Sequence, residues 1–305
     1  MDEFKSKRKI LLLAGLFLLS VSVHSLTLHP HSQLAIGIDS VLVEDYSIGS
    51  FQRATRIVVG TQGTIYVLDA DENRISLFPN LQEAPRTIGG FGWSSSSFDR
   101  PTGVATDGVN VYVSDFGNHR IQRFDRDLNY ISTLFTRDTS DVISRFGYPL
   151  DVALSELGDL FILDGENIRV MKFNSQGSFE RAIGDLNAGK GKLQNPVKLV
   201  ATNSRVYVGE KNKILVYDYF GNYIECIGEG IIHDLHGFAM SANGFLAASN
   251  DTLWWFTREG ALQNFSSLDN IISGERLNQI QDITCAGKRL FILSPKKIHV
   301  FTMTY

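Results

Sequence analysis

Several things are scarce in this chain. There are two cysteines, Cys226 and Cys285, in 305 residues, so no disulfide framework holds the protein together. They fall late in the fourth and early in the sixth of the repeats described below, and are read as unpaired, buried thiols. Helical periodicity is missing throughout, which removes helix bundles and α/β sheets from consideration. Positive charge is not in excess: the formal net charge is −4, which argues against a general nucleic-acid surface. There is no Gly-x-Ser-x-Gly elbow, no phosphate-binding loop, and no Cys/His pair at a meaningful spacing. Long apolar runs are absent apart from one near the start. What is present is an apolar content of 43% and an aromatic content of 11%, enough for an ordered core.

The one apolar run, Ile10 to Val23, follows Lys5, Lys7, Arg8 and Lys9 and precedes Val23-His24-Ser25. A positive n-region, a short apolar core and a small-residue site read as a secretory signal peptide over residues 1–25. Fourteen residues is short for a membrane span, so an uncleaved anchor is the lesser alternative. No cysteine follows the run, which argues against a bacterial lipid anchor. Without residues 1–25 the chain holds 25 basic and 31 acidic residues, a net charge of −6. The expected address is exported: periplasmic, cell-surface or extracellular.

The remainder, 26–305, repeats itself six times. Copies begin near Arg53, Arg100, Tyr148, Asn195, Leu235 and Ile280, a spacing of about 40–48 residues, the length of a four-stranded propeller blade. Short β-branched and aromatic runs recur, as in Asn110-Val-Tyr-Val-Ser114 and Arg289-Leu-Phe-Ile-Leu293, separated by turns such as Asp107-Gly108 and Glu259-Gly260, where glycine supplies positive φ. A repeat of strands cannot bury its faces alone and must stack on its neighbours. The expected fold is all-β, a six-bladed β-propeller of four-stranded antiparallel blades. The sixth copy has only three strands up to Tyr305, and Val41-Leu-Val-Glu-Asp-Tyr-Ser-Ile48 has no repeat of its own. Residues 41–50 are therefore expected to complete the last blade and close the ring, removing an exposed sheet edge.

At Pro101-x-Gly-Val-Ala-x-Asp107, Val111-Tyr-Val-Ser-Asp115 and Asn118-His-Arg-Ile-Gln-Arg-Phe124 the chain closely resembles the NHL-repeat family of six-bladed β-propellers. The first and third copies match well and the fourth in part. The fifth and sixth keep the strands and lose most signature residues. The resemblance covers about 53–305 and implies the fold. It is weak for function, because that family includes protein-binding, RNA-binding and lyase members.

Within the repeat, the second strand ends in Asp69, Asp115, Asp164 and Glu210, then Asn250 and Ser294. The third strand opens with Arg74, Arg120, Arg169, Lys213, Thr252 and Lys297. Acid and cation persist together in copies one to four, which predicts that they pair, either as structural ties or as a ring of charge meeting a ligand. Near the start of each innermost strand the equivalent positions hold Arg56, Gly103, Asp151, Lys198, Gly237 and Asp282 in ring order. Neighbouring signs predict salt bridges Asp151–Lys198 and Asp282–Arg56 at the channel mouth, or else a polar pocket for a small ligand.

Strand counting puts the loops carrying Phe91, Trp93, His119, Phe146, Tyr148, Lys190 and Lys192 on this same face. Exposed aromatics with a few cations mark interfaces; the alternative is that they cap the blade cores. Enzyme chemistry finds less support. His233 and His236 have a possible metal spacing, but two ligands do not make a zinc centre. His24, His29 and His31 precede the repeats, and His299 sits deep in the last strand. The propeller lactonases hold calcium with inward Glu, Asn and Asp. Asp151 and Asp282 are inward acids here, each with a cation nearby, fewer oxygens than a hard-cation site collects.

The reading taken forward is an exported, non-catalytic binding module without a cofactor and without nucleic acid. Its partner is a protein or peptide, met at Phe91, Trp93, Phe146 and Tyr148 with Arg120 and Lys190 at the rim. Membrane contact would come only through an uncleaved signal sequence. The alternative is a calcium- or zinc-dependent lyase or lactonase with its site at Asp151, His236 and Asp282.

Overall fold

In a computed structural model, residues 42–274 and 277–303 are described. The expected signal peptide and residues 26–41 lie outside them. The described chain forms six antiparallel blades around a central channel. In each, the innermost strand A lines the channel and B, C and D follow outward. Blade 1 runs from Ala54–Val59 to Arg86–Gly89, blade 2 from Pro101–Thr106 to Tyr130–Leu134, and blade 3 from Pro149–Leu154 to Phe179–Ile183. Blade 4 runs from Pro196–Ala201 to Tyr223–Ile227, and blade 5 from Gly237–Ser241 to Leu262–Ser267.

The sequence repeats because the burial repeats. Each blade has apolar side chains on both faces, and each face meets a different neighbour. Six apolar cores result, one between every adjacent pair of blades. In strand B of blade 1, Val67 joins the core shared with blade 6, and Leu68 the core shared with blade 2. This is why the B strands of blades 1 and 3 are buried at every position and read as continuous apolar runs rather than alternating ones.

Blade 6 takes strands A to C from Asp282–Ala286, Arg289–Leu293 and Ile298–Thr302, and its fourth from Leu42–Ile48, antiparallel to Ile298–Thr302. The ring thus closes through an N-terminal strand. A further piece has no counterpart in the repeat: Ile271–Ile272 runs parallel to Leu42–Val43 as a fifth strand. Hydrogen bonds through two buried side chains, Glu44 and His299, hold the closure. His299 Nδ1 meets Glu44 Oε1 at 2.7 Å, its Nε2 meets Ser294 Oγ at 3.0 Å, and the second Glu44 oxygen accepts from the Gly274 amide at 2.7 Å.

Candidate functional site

The acid that ends strand B has one job in all four copies that keep it. It accepts backbone N–H groups from the chain entering its own blade. Asp69 takes Gln52 N at 2.7 Å and Arg53 N at 3.0 Å, Asp115 takes Asp99 N at 2.8 Å, Asp164 takes Gly147 N at 3.2 Å, and Glu210 takes Gln194 N and Asn195 N. The cation is less constant. Arg120 meets Asp115 at 2.7 Å and Arg169 meets Asp164 at 3.1 Å, but Arg74 stands 4.0 Å from Asp69. Lys213 reaches outward to Glu229 at 3.3 Å. The expected acid–cation pairing therefore holds in blades 2 and 3, is marginal in blade 1, and fails in blade 4. There Glu210 is engaged by the incoming amides, and Lys213 is drawn to another acid.

Arg120 is not a rim group, contrary to expectation. It is buried, and its guanidinium donates to the carbonyl oxygens of Trp93 (2.7 Å), Ser94 (3.0 Å) and Ser97 (2.9 Å) as well as to Asp115. Charge-assisted bonds of this kind are stronger than neutral ones, so Arg120 shapes the loop that presents Trp93. Phe146 is also corrected. It is fully buried in the core between blades 2 and 3, packed edge-on against Phe173. Phe91 and Trp93 do lie open, at 78% and 57% exposure, and Tyr148 at 40%. Lys190 is exposed in the short turn Gly189–Gly191, on the loop into blade 4.

A repeated rivet fixes this rim. Arg100 and Tyr148 each precede a proline with positive φ, 53° and 48°, a conformation uncommon for non-glycine residues. Each backbone N–H is caught by the preceding blade: Arg100 N by Asn73 Oδ1 at 2.7 Å, Tyr148 N by His119 Nδ1 at 3.1 Å. Around the second rivet the His119 and Phe116 rings stand 4.1 and 5.2 Å from that of Tyr148. The Arg100 guanidinium lies 5.0 Å from Phe116, and that of Arg137 lies 5.8 Å from Tyr148. Burial, then Arg137, holds His119 below the usual histidine range, in keeping with a neutral Nδ1 acceptor. Phe116, Arg100 and Arg137 were not anticipated as rim residues. The signal for Arg100 was available: it opens its copy directly before a proline.

At the channel mouth the six positions form a cation–Gly–acid triplet used twice, Arg56-Gly103-Asp151 and Lys198-Gly237-Asp282. The expected neighbour pairs do not form. Lys198 Nζ reaches past the glycine blade to Asp282 at 2.7 Å. Arg56 donates to the carbonyls of Val197 (2.8 Å) and Thr55 (3.0 Å). Glycine makes this reach possible, because a Cβ at Gly103 or Gly237 would stand 2.5 or 2.4 Å from the next acid's oxygen. Each acid then ties the following blade: Asp151 Oδ2 accepts Leu199 N at 2.8 Å, and Asp282 Oδ2 accepts Ile57 N at 3.1 Å. Burial raises the Asp151 carboxyl above its usual range, opposed by Lys198 and Arg56.

His236 does not complete a metal site with these acids. Its Nδ1 meets the Ile280 carbonyl at 2.8 Å and its Nε2 meets Asp234 at 3.2 Å. Among the described residues no group of three or more His, Cys, Asp or Glu is placed to hold a metal ion. Further along the channel the wall turns apolar, with Ala105, Ala153, Met240 and Cys285 around a cavity of about 240 Å³. Both cysteines are free. Burial pushes the Cys285 thiol up to about 12, which favours its protonated form.

Residues 98–124 match the NHL repeat profile. The chain is 26% identical over 138 residues to a probable peptidyl-alpha-hydroxyglycine alpha-amidating lyase of Caenorhabditis elegans, covering 44% of this chain and 38% of that protein. It is 29% identical over 147 residues to the protein brain tumor of Drosophila melanogaster, covering 46% of this chain and 14% of that one. The matches thus span well under two thirds of these curated relatives. Among solved structures, a catalytically inactive virginiamycin B lyase from Staphylococcus aureus with quinupristin superposes with a TM-score of 0.57 at 14% identity, over 82% of this chain and 80% of that one. At that identity the likeness is one of fold.

Proposed function

Because this chain is a six-bladed β-propeller carrying an NHL repeat, we propose that it is a non-catalytic binding module that captures a protein or peptide on its loop-rich face. One observation carries this reading: the half-buried Phe116 and exposed Tyr148 cluster with Arg100 and Arg137, and Phe91 and Trp93 lie open on the neighbouring loop. Its backbone is pinned by the rivets at Asn73 and His119. Pre-organised aromatic anchors with arginine dominate binding energy at interfaces. The positive run before Ile10–Val23 supports an exported address for this module.

The named lyases among its relatives favour a second reading, an enzyme at the channel mouth. Against it, Asp151 and Asp282 spend oxygens on backbone amides and on Lys198. Trp93→Ala with Tyr148→Ala should weaken capture of the native partner by cross-linking pull-down at least tenfold, while the unfolding midpoint is kept. Unchanged capture overturns the interface. Stoichiometric zinc or calcium in the purified protein, lost in Asp151→Asn, overturns the non-catalytic reading.

A further inference from the structure

Beside the channel mouth, on the loop-rich face, lies a cavity of about 390 Å³ bordered by blades 1 to 4. Among its eleven lining residues are three arginines, Arg53, Arg56 and Arg100, and no acid. We propose that this cavity seats a glutamate or aspartate side chain from an acidic segment of the partner. The step rests on the binding reading above and names the chemistry that reading leaves open.

The cavity has unmet hydrogen-bonding capacity. Thr55 Oγ1 and Arg56 Nε are buried atoms without a partner, and both belong to lining residues. A dry donor is costly, and the Arg56 side chain would have to turn toward the cavity for an incoming carboxylate oxygen to satisfy it. Arg53 and Arg100 are held by exposed pairs, with Asp71 at 2.7 Å and Asp99 at 3.3 Å. Exposed pairs contribute little, so these guanidiniums can turn to a ligand at small cost. Planar guanidinium matches carboxylate with two parallel bonds. Phe116, Leu150 and Pro196 line the same space and suit the aliphatic stem of an acidic side chain. The positive φ of Arg100 and the Asn73 bond to its amide fix where that guanidinium starts from. Nucleic acid fits less well, because it needs a track of cations along a backbone and the chain as a whole is acidic.

The probe is a capped, fluorescein-labelled peptide of alternating leucine and glutamate, read by fluorescence anisotropy with the full chain and compared with its glutamine isostere. The glutamate peptide should bind at least tenfold tighter, and both Arg56→Met and Arg100→Gln should remove that preference. Arg100 is mostly exposed, so its variant keeps the test valid if Arg56→Met does not fold. Equal affinity for the two peptides overturns the carboxylate anchor and leaves capture through Trp93 and Tyr148 standing. Failure of both peptides to bind, with native-partner capture unchanged in Arg100→Gln, overturns it as well. Displacement by single-stranded RNA at matched charge, with the arginine variants indifferent, overturns it in favour of a polyanion surface.

Discussion

Blades 2 and 6 close the end of strand B in different ways. In blade 2, Asp115 is bound by Asn118, Arg120 and the Asp99 amide, all within a short stretch of chain. In blade 6 the same position is Ser294, and the bonds run through His299 to Glu44, 255 residues from it in sequence. The first arrangement is assembled from one repeat and serves to present a loop. The second joins the two ends of the ring and serves only to keep it shut. Within one repeat, then, a position is free to change its chemistry once the neighbouring strand comes from elsewhere.

The comparison breaks most visibly at Glu44. Glu44→Ala strands the buried His299, and should cost about 3–5 kcal/mol, the range for stripping one partner from a buried ionisable pair. Urea unfolding checks the size. Hydrogen exchange should show lost protection in Leu42–Ile48 and Ile298–Thr302 with blade 2 unaffected. Arg120→Ala should cost about 3 kcal/mol by the same logic and unsettle the Trp93 loop, whereas Arg74→Ala, at a 4.0 Å and partly exposed pair, should cost under about 1 kcal/mol. Equal losses for the two arginines would show that the blade 2 acid–cation pair is no stronger than its blade 1 relative.

A smaller effect is expected at the channel. Gly237→Ala places a Cβ 3.0 Å from the Asp282 Cα and closer still to its carboxylate. It should destabilise by about 1–3 kcal/mol, as overpacking does, visible as a lowered urea midpoint. The smallest is a pH effect. His119 is depressed below its unfolded value, mainly by burial, so the unfolded chain takes up the proton first. The rivet's contribution is whole above about pH 6.5 and is lost as pH falls from there through the lower folded value. Between pH 7 and 5.5 the melting temperature should fall less in His119→Asn, which borrows the side chain blade 1 uses at Asn73. Equal slopes would mean that the rivet does not titrate.

The ring of blades was legible because strand burial imposes the same apolar pattern in every copy, and the missing fourth strand of the last copy pointed to Val41–Ile48. Side-chain partners were not legible to the same degree. Lys198 and Asp151 are neighbours in ring order, yet a lysine is long enough to pass a glycine blade, and Gly237 opens the way to Asp282. Phe146 and Tyr148 stand two residues apart in one loop. Only the backbone turn decides that one fills a core while the other faces outward. Ile271–Ile272 is too short to register as a strand before Leu42–Val43 is there to pair with it.

The Glu44–His299 contact also joins segments that are made at opposite ends of synthesis. During synthesis the strand at Leu42–Ile48 leaves the ribosome long before its partner at Ile298–Thr302 exists, so its edge stays unpaired while blades 1 to 5 are laid down. Long-separation contacts are slow to form, and an unpaired strand is open to pairing with the wrong neighbour. Such a ring is most exposed to misassembly in the interval before its final blade arrives, and a folding helper that shields one strand would protect the whole circle.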